Sequence, residues 1–305
     1  MRSHTSVLRC ALTGVATLTL LFSGIGVALA LTPASASAAP AQGDTCAGGP
    51  IPPGSYSSMT VTGVCFVAGT VSVRGGLTIA PNAVLNATDS PAPDCTHVAH
   101  LDVSGGIRVM SNGILFLGDS NNRPDAGTGC PTSNDVVNGG IVGQGANSVV
   151  VHGTRINGGF SLSGGGGGNS YTLFPPPPPG GFLFCSDVVV GGVDLGFPPF
   201  SDVEDTQING GASIVGLHTC WMGFISNQVN GGTTVSNNTM GDPDAIEIGL
   251  NAIHGGLACS GNLRDPNSHI LPDDGSGGVP TNSFDGSPPN PNSVTGQQTG
   301  QCAGL

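Results

Sequence analysis

One short unit recurs eight times and constrains the fold more than any single residue does. It reads apolar–x–Gly–Gly–x–x–apolar, first as Val73-Arg74-Gly75-Gly76-Leu77-Thr78-Ile79. It returns at 103–109, 137–143, 156–162, 189–195, 208–214, 229–235 and 253–259. In each copy the apolar positions share one parity, as in Val103, Gly105, Ile107 and Val109. Successive side chains of a strand point to opposite faces, so this parity predicts a half-buried strand with one dry side. The other parity holds Arg74, Thr78, Ser104, Arg108, Asn209 and Ser213, which suit water. The paired glycines predict a bend where backbone packs closely or takes a positive φ.

Successive Gly-Gly pairs stand 19 to 34 residues apart. The short intervals match one coil of a β-solenoid, and such periods are a signature of stacked repeats. The long ones read as a coil plus an insertion, at 90–96, 118–135 and 164–184. The last carries five consecutive glycines, expected to be floppy, and then Pro175 to Pro179, which favour an extended polyproline II run. Helix signal is nearly absent, because Gly, Pro and β-branched residues interrupt every run. The expected fold is therefore all-β: a parallel β-solenoid, a right-handed β-helix, with long loop insertions. The alternative is an antiparallel β-sandwich. Asn138-Gly139, Asn157-Gly158, Asn209-Gly210 and Asn230-Gly231 are strong hairpin dipeptides that favour it. Recurrence at coil length, with β-branched residues at equivalent places, favours the solenoid.

The domain expectations follow. Residues 1–39 read as a signal peptide, with Arg2 and Arg9 before an apolar stretch and small-x-small triplets at Ala34-Ser35-Ala36 and Ala36-Ser37-Ala38. Residues 40–60 read as a Pro/Gly-rich loop, 61–262 as the solenoid, and 263–305 as an irregular cap strapped by Cys302. Of nine cysteines, Cys10 lies in the leader. The even remainder in an exported chain reads as disulfides. Eight cysteines allow 105 pairings. A sequential set, Cys46–Cys65, Cys95–Cys130, Cys185–Cys220 and Cys259–Cys302, closes the local loops that a one-dimensional fold requires.

The stretch Gly255-Gly256-Leu257-Ala258-Cys259-Ser260-Gly261-Asn262, then Pro291-Asn292-Ser293-Val294 and the closing Gly300-Gln301-Cys302-Ala303-Gly304-Leu305 carry a resemblance. They resemble a family of secreted actinobacterial β-solenoid proteins with Gly-Gly or Gly-Asn repeats and a Cys-strapped C-terminus. The resemblance implies secretion and a β-solenoid; it implies no reaction. The long insertions depart from that pattern.

Charge excludes some functions. The net charge is −12, and all seven basic residues are Arg. An acidic surface without Lys is poor for phosphate backbones and for anionic lipid. Only 9% of residues are charged while 38% are hydrophobic, the reverse of a disordered chain.

Chemistry is harder to find. A glycosidase needs two carboxylates at a set separation. The acidic clusters are Asp202, Glu204 and Asp205; Asp242, Asp244 and Glu247; and Asp273 with Asp274. All lie beside Pro or Gly and read as solvated turns, although Asp202 and Glu204 would share a face if on a strand. The pectin-hydrolase motifs Asn-Thr-Asp, Gly-His-Gly and Arg-Ile-Lys are missing. Asp242, Asp244 and Glu247 are weak calcium candidates, because hard cations take oxygen ligands. The histidines after the leader are His97, His100, His152, His218, His254 and His269, without a zinc spacing. No serine-nucleophile, phosphate-loop or dinucleotide fingerprint occurs, so no cofactor is implied. Trp221, the single tryptophan, lies beside Cys220, Met222 and Phe224 and is a candidate glycan contact. No catalytic residue stands out. The expectation is a secreted, non-enzymatic structural, adhesion or glycan-contact protein of the cell envelope or extracellular space. Its expected partner is polysaccharide, with no nucleic acid and no stable membrane insertion. The alternative is a polysaccharide-degrading β-helix lyase or hydrolase.

Overall fold

A computed structural model describes residues 43–89, 99–119, 134–168, 170–173, 183–190, 193–242, 246–268, 280–283 and 289–305. The described residues form strands and turns, and no helix among them is long and apolar enough to cross a membrane. The chain winds through three long parallel sheets in the order A, B, C, and the later coils add a short fourth parallel sheet after A, made of His218–Thr219, Thr239–Met240 and Leu263–Arg264. Sheet A has ten strands, from Asp44–Cys46 to Gln298–Gly300; sheet B has eight, from Gly49–Ile51 to Ile246–Gly249; sheet C has nine, from Gly54–Tyr56 to Ser293–Val294. The fold is thus a parallel β-solenoid. Its ladders are parallel in all three sheets, which excludes the antiparallel sandwich.

Equivalent residues of successive coils stack in columns. In sheet A the inward column runs Met59, Leu77, Ile107, Ile141, Phe160, Ala212, Thr233, Leu257. In sheet C it runs Val73, Val103, Val137, Ile156, Ile208, Val229, Ile253. All of these are buried. Each aliphatic chain so buried stabilises by roughly 1.5–3 kcal/mol relative to an exposed one.

The Gly-Gly unit is a corner, not a strand. Its first apolar residue ends a strand of sheet C, and its later ones begin a strand of sheet A, as Val73 and Leu77 do. The glycines are required by proximity. A Cβ on Gly158 would lie 2.7 Å from the backbone of Gly139, and one on Gly255 would lie 2.6 Å from that of Gly231. None of the first glycines in these corners has a left-handed φ. The copy at 189–195 is different: Val189–Val190 pairs antiparallel with Val193–Asp194 inside the long insertion. The five-glycine run at 164–168 is ordered, every φ positive, with Gly166 N–H donating to Ala146 O (2.6 Å) and Gly168 N–H to His218 O (2.8 Å). It fills the space between two coils, where only glycine adopts successive left-handed conformations.

The Asn of each Asn-Gly pair stacks instead of turning a hairpin. Asn157 Nδ2 donates to Asn138 Oδ1 (2.7 Å), Asn209 to Asn157 (2.8 Å) and Asn230 to Asn209 (2.8 Å), along the outside of the corner. A second ladder is internal, between sheets B and C. Asn227 N–H and Nδ2 donate to Asn251 Oδ1 (2.9 and 3.0 Å), while Asn251 Nδ2 donates to Phe224 O (2.7 Å) and Asn292 Oδ1 (2.8 Å). Ser226 and Leu250, immediately before these asparagines, have φ of 57° and 59°, which turns each amide inward.

The coils extend beyond both expected limits. Residues 40–60 are not a loop from Asp44 onward: Asp44–Cys46, Gly49–Ile51 and Gly54–Tyr56 make a first coil. Pro50 is accommodated because Gly49–Ile51 is an edge strand, where a missing N–H costs no ladder bond. At the other end, 263–305 is not simply irregular. Thr281 bridges to Glu247, Ser293–Val294 pairs with Ala252–Ile253, and Gln298–Gly300 pairs with Leu257–Cys259. Backbone ladders and the Asn251–Asn292 bonds hold this coil, although its sequence is polar. Disulfides join Cys46 to Cys65, Cys185 to Cys220 and Cys259 to Cys302, across 19, 35 and 43 residues. The expected Cys95–Cys130 pair lies outside the described residues, as do residues 1–39 and Pro175–Pro179.

Candidate functional site

From Ile114–Gly118 onward sheet B is largely buried on both faces, which sets it apart from sheet A; its first strands still expose Val64, Phe66 and Asn86. Strands buried on both sides read as continuous apolar runs, and Ile114-Leu115-Phe116-Leu117 and Val149-Val150-Val151 are such runs. Leu115, Leu117, Val149 and Val151 point into the main core. Outside, Val84 and Ile114 pack against Val188 and Val190 of the long insertion in a second small core. Cys185–Cys220 ties that insertion to the turn before Trp221.

Four aromatic rings edge this cover. Phe116 and Phe197 meet edge-on at 5.3 Å, Phe197 and Phe200 at 5.9 Å, and Phe200 and Trp221 lie tilted at 6.1 Å. All four are partly exposed. Trp221 is thus partly exposed while packing on Phe200 and the core.

Beside the rings lies a group of ionisable residues. The expectation that Asp202, Glu204 and Asp205 form a solvated turn is overturned for the first two. They belong to the strand Phe200–Glu204, both facing outward, and only Asp205 (φ 49°) turns. The register sets Glu204 opposite His152, one coil before. One ligand atom from each of His152, Asp202 and Glu204 lies within 4.8 Å of the others. All three are more than nine-tenths buried. His152 Nε2 lies 3.0 Å from Asp202 Oδ2, and its Nδ1 3.1 Å from the Asp119 carbonyl oxygen. Burial pushes the imidazole pKa down, but the Asp202 hydrogen bond and the Asp202 and Glu204 charges push it up, and the net direction is upward. Asp202 Oδ1 is buried without a hydrogen-bond partner and sits over Gly223 of the next coil.

Two further histidines meet carboxylates. His100 lies 3.2 Å from Asp102 and 3.3 Å from the buried Asp135, and its pKa is raised to about 9. The Asp135 hydrogen bond is the main cause, opposed by burial and reinforced by Asp102. His218 lies 3.2 Å from Asp265. His254 stands exposed at a glycine corner, and His97 and His269 lie outside the described residues.

Of the calcium candidates Asp242, Asp244 and Glu247, only the first and last fall among the described residues. Glu247 is buried on the outer face of sheet B, in register with Gly223, Asp242 sits half-buried in a turn, and Asp244 is not described. Asp273 and Asp274 are not described either. The group that forms is His152, Asp202 and Glu204, which spacing alone did not suggest. Its signal is readable once coils are aligned: Phe200-Ser201-Asp202-Val203-Glu204 stands where the next coil has Trp221-Met222-Gly223-Phe224-Ile225. Two carboxylates then occupy positions that the next coil fills with glycine and isoleucine. Compared with known protein families, curated proteins and solved structures, the chain matches none.

Proposed function

We propose that this chain is an exported, non-enzymatic contact protein that docks polysaccharide of the cell envelope or extracellular space on the outer side of sheet B. The carrying observation is the row of partly exposed rings Phe116, Phe197, Phe200 and Trp221. A sugar ring offers axial C–H groups that stack on such aromatic faces, and a rigid indole presents them at little entropic cost. Three disulfides are compatible with an oxidising compartment outside the cytosol. The degrading-enzyme alternative is disfavoured by Asp202 and Glu204. These carboxylates converge with a residue of the neighbouring coil but both are buried and Asp202 is engaged with His152, whereas a glycosidase pair must reach the scissile oxygen.

The test incubates the oxidised protein with insoluble cell-wall and plant polysaccharides. Co-sedimentation without new reducing ends or unsaturated products, weakened by Trp221→Ala at unchanged circular dichroism, is the expected result. Product formation would establish the enzyme instead. Failure to sediment with any of the polymers would remove the contact reading.

A further inference from the structure

The contact between His152 and Asp202 poses a problem of protons. His152 Nδ1 faces a carbonyl oxygen, Asp119 O at 3.1 Å, and a carbonyl only accepts, so Nδ1 carries hydrogen. In the neutral ring Nε2 is then a bare lone pair. It points at a carboxylate oxygen 3.0 Å away, which is also only an acceptor. Two lone pairs at that distance repel unless a cation lies between them. The cation is either a second proton or a metal ion.

Charge separates the two. With a proton, the three side chains by themselves carry one positive and two negative charges. Asp202 Oδ1 also stays without a hydrogen bond. Buried charges that are not balanced are costly. With a divalent ion and a neutral imidazole, two positive charges meet two carboxylates, and the group is neutral. The arrangement also matches the chemistry of a metal-binding histidine, which donates its second N–H to a backbone carbonyl and so fixes its tautomer. Asp119 O accepts that bond here.

We propose that His152 Nε2, Asp202 and Glu204 bind one divalent transition-metal ion of the zinc class, clamping two adjacent strands of the covered face of sheet B. One imidazole and two carboxylates are borderline-to-hard donors, suited to zinc rather than to soft copper(I). Tetrahedral zinc holds its ligand atoms about 3.3 Å apart. The His152–Asp202 pair already stands at 3.0 Å, and the three ligand atoms lie within 4.8 Å of one another, so a small rotation of Glu204 closes the set. His152 and Glu204 belong to adjacent coils 52 residues apart, and Asp119 comes from the coil before His152. The ion therefore fastens the coils on either side of the 164–199 insertion. Three protein ligands leave one tetrahedral position to water, and all three side chains are more than nine-tenths buried.

The test uses the untagged, oxidised full chain. Metal content is measured as isolated. After chelator dialysis the protein is titrated with zinc chloride alone, followed by heat release and thermal melting, and with cobalt(II) chloride, followed by visible d–d absorption. One equivalent of metal, a melting temperature that rises with zinc as linkage requires, and a cobalt spectrum are expected. Asp202→Asn and His152→Gln should each weaken zinc more than about 100-fold, beyond the 10–100-fold of a lost outer hydrogen bond. His254→Ala, at the exposed histidine, should change nothing. Absence of binding to the wild-type chain overturns the proposal and leaves a protonated His152 between two acids. Binding that survives both ligand substitutions, or is lost in His254→Ala, overturns it equally, because the metal then sits elsewhere. The wild-type titration stands even if a ligand variant misfolds.

Discussion

Replacing Asn251 by Ala removes a side chain that serves two coils at once. Its Oδ1 accepts the Asn227 backbone N–H at 2.9 Å and Asn227 Nδ2 at 3.0 Å, and its Nδ2 donates to Phe224 O at 2.7 Å and to Asn292 Oδ1 at 2.8 Å. After truncation Asn227 Nδ2 keeps Val203 O, and Asn292 Oδ1 keeps the Asn251 backbone N–H. Two losses remain: the acceptor of the Asn227 backbone N–H and the side-chain donor to Phe224 O. Asn227 is fully buried and Asn251 is 1% exposed, so water does not replace the lost partners without entering the wall. An unsatisfied buried group costs about 1–3 kcal/mol, so the substitution should cost about 4 kcal/mol. Asn230→Ala is the internal comparison. It breaks one exposed Asn–Asn bond and should cost less than about 0.5 kcal/mol. The assay is urea unfolding of the oxidised protein, followed by Trp221 fluorescence and by far-ultraviolet circular dichroism. Trp221 lies on the strand that pairs with Ile246–Gly249, just before Asn251, so it senses the perturbed coil. Solenoids can lose coils piecemeal, and the fluorescence transition should therefore move at least as far as the dichroism transition. Equal midpoints for the two variants would refute the reasoning, as would a cost below about 1 kcal/mol for Asn251→Ala.

Two further outcomes follow from the same ladders. Thr233 stands in the inward column of sheet A between Ala212 and Leu257, with its hydroxyl buried and unpartnered, so Thr233→Val should raise stability by about 1–2 kcal/mol in the same urea assay. The His100 ring should titrate near 9 by NMR, and Asp135→Asn should bring it down toward 6.5. Because the folded value lies above the unfolded one, its stabilisation is full below about pH 6.5 and is lost as pH rises through 9.

Coil count and course were legible to different degrees. The parity of Leu77 with Ile79 and of Ile107 with Val109 marks a dry face in any strand, so the solenoid was readable without coordinates. Whether Val73 and Leu77 share a strand was not readable, because a corner and a strand interior can carry the same parity. The coils outside the repeat escaped for another reason. Gly49–Ile51 and Gln298–Gly300 hold their place by backbone ladders and edge position, and those leave no hydrophobic pattern. The Asn-Gly pairs misled because a local dipeptide rule cannot see that asparagines 19 to 52 residues apart stack on one another. His152 and Asp202, 50 residues apart, meet only because an insertion is looped out between their coils. A carboxylate read in isolation beside Pro199 looks solvated; in register with His152 it is enclosed.

The glycine corner also governs where this chain can change. Each passage from sheet C to sheet A takes three residues or fewer, from Tyr56 to Met59 through Val294 to Gln298. Each long excursion from the winding, at 89–98, 119–135, 164–199, 265–280 and 282–292, instead adjoins sheet B. Backbone stacked on backbone at the glycines admits no extra residue without parting the coils. The borders of sheet B lie outside that contact, so foreign loops grafted there would leave the rest of the winding in phase. The molecule divides into a spine that keeps count and a margin open to rewriting.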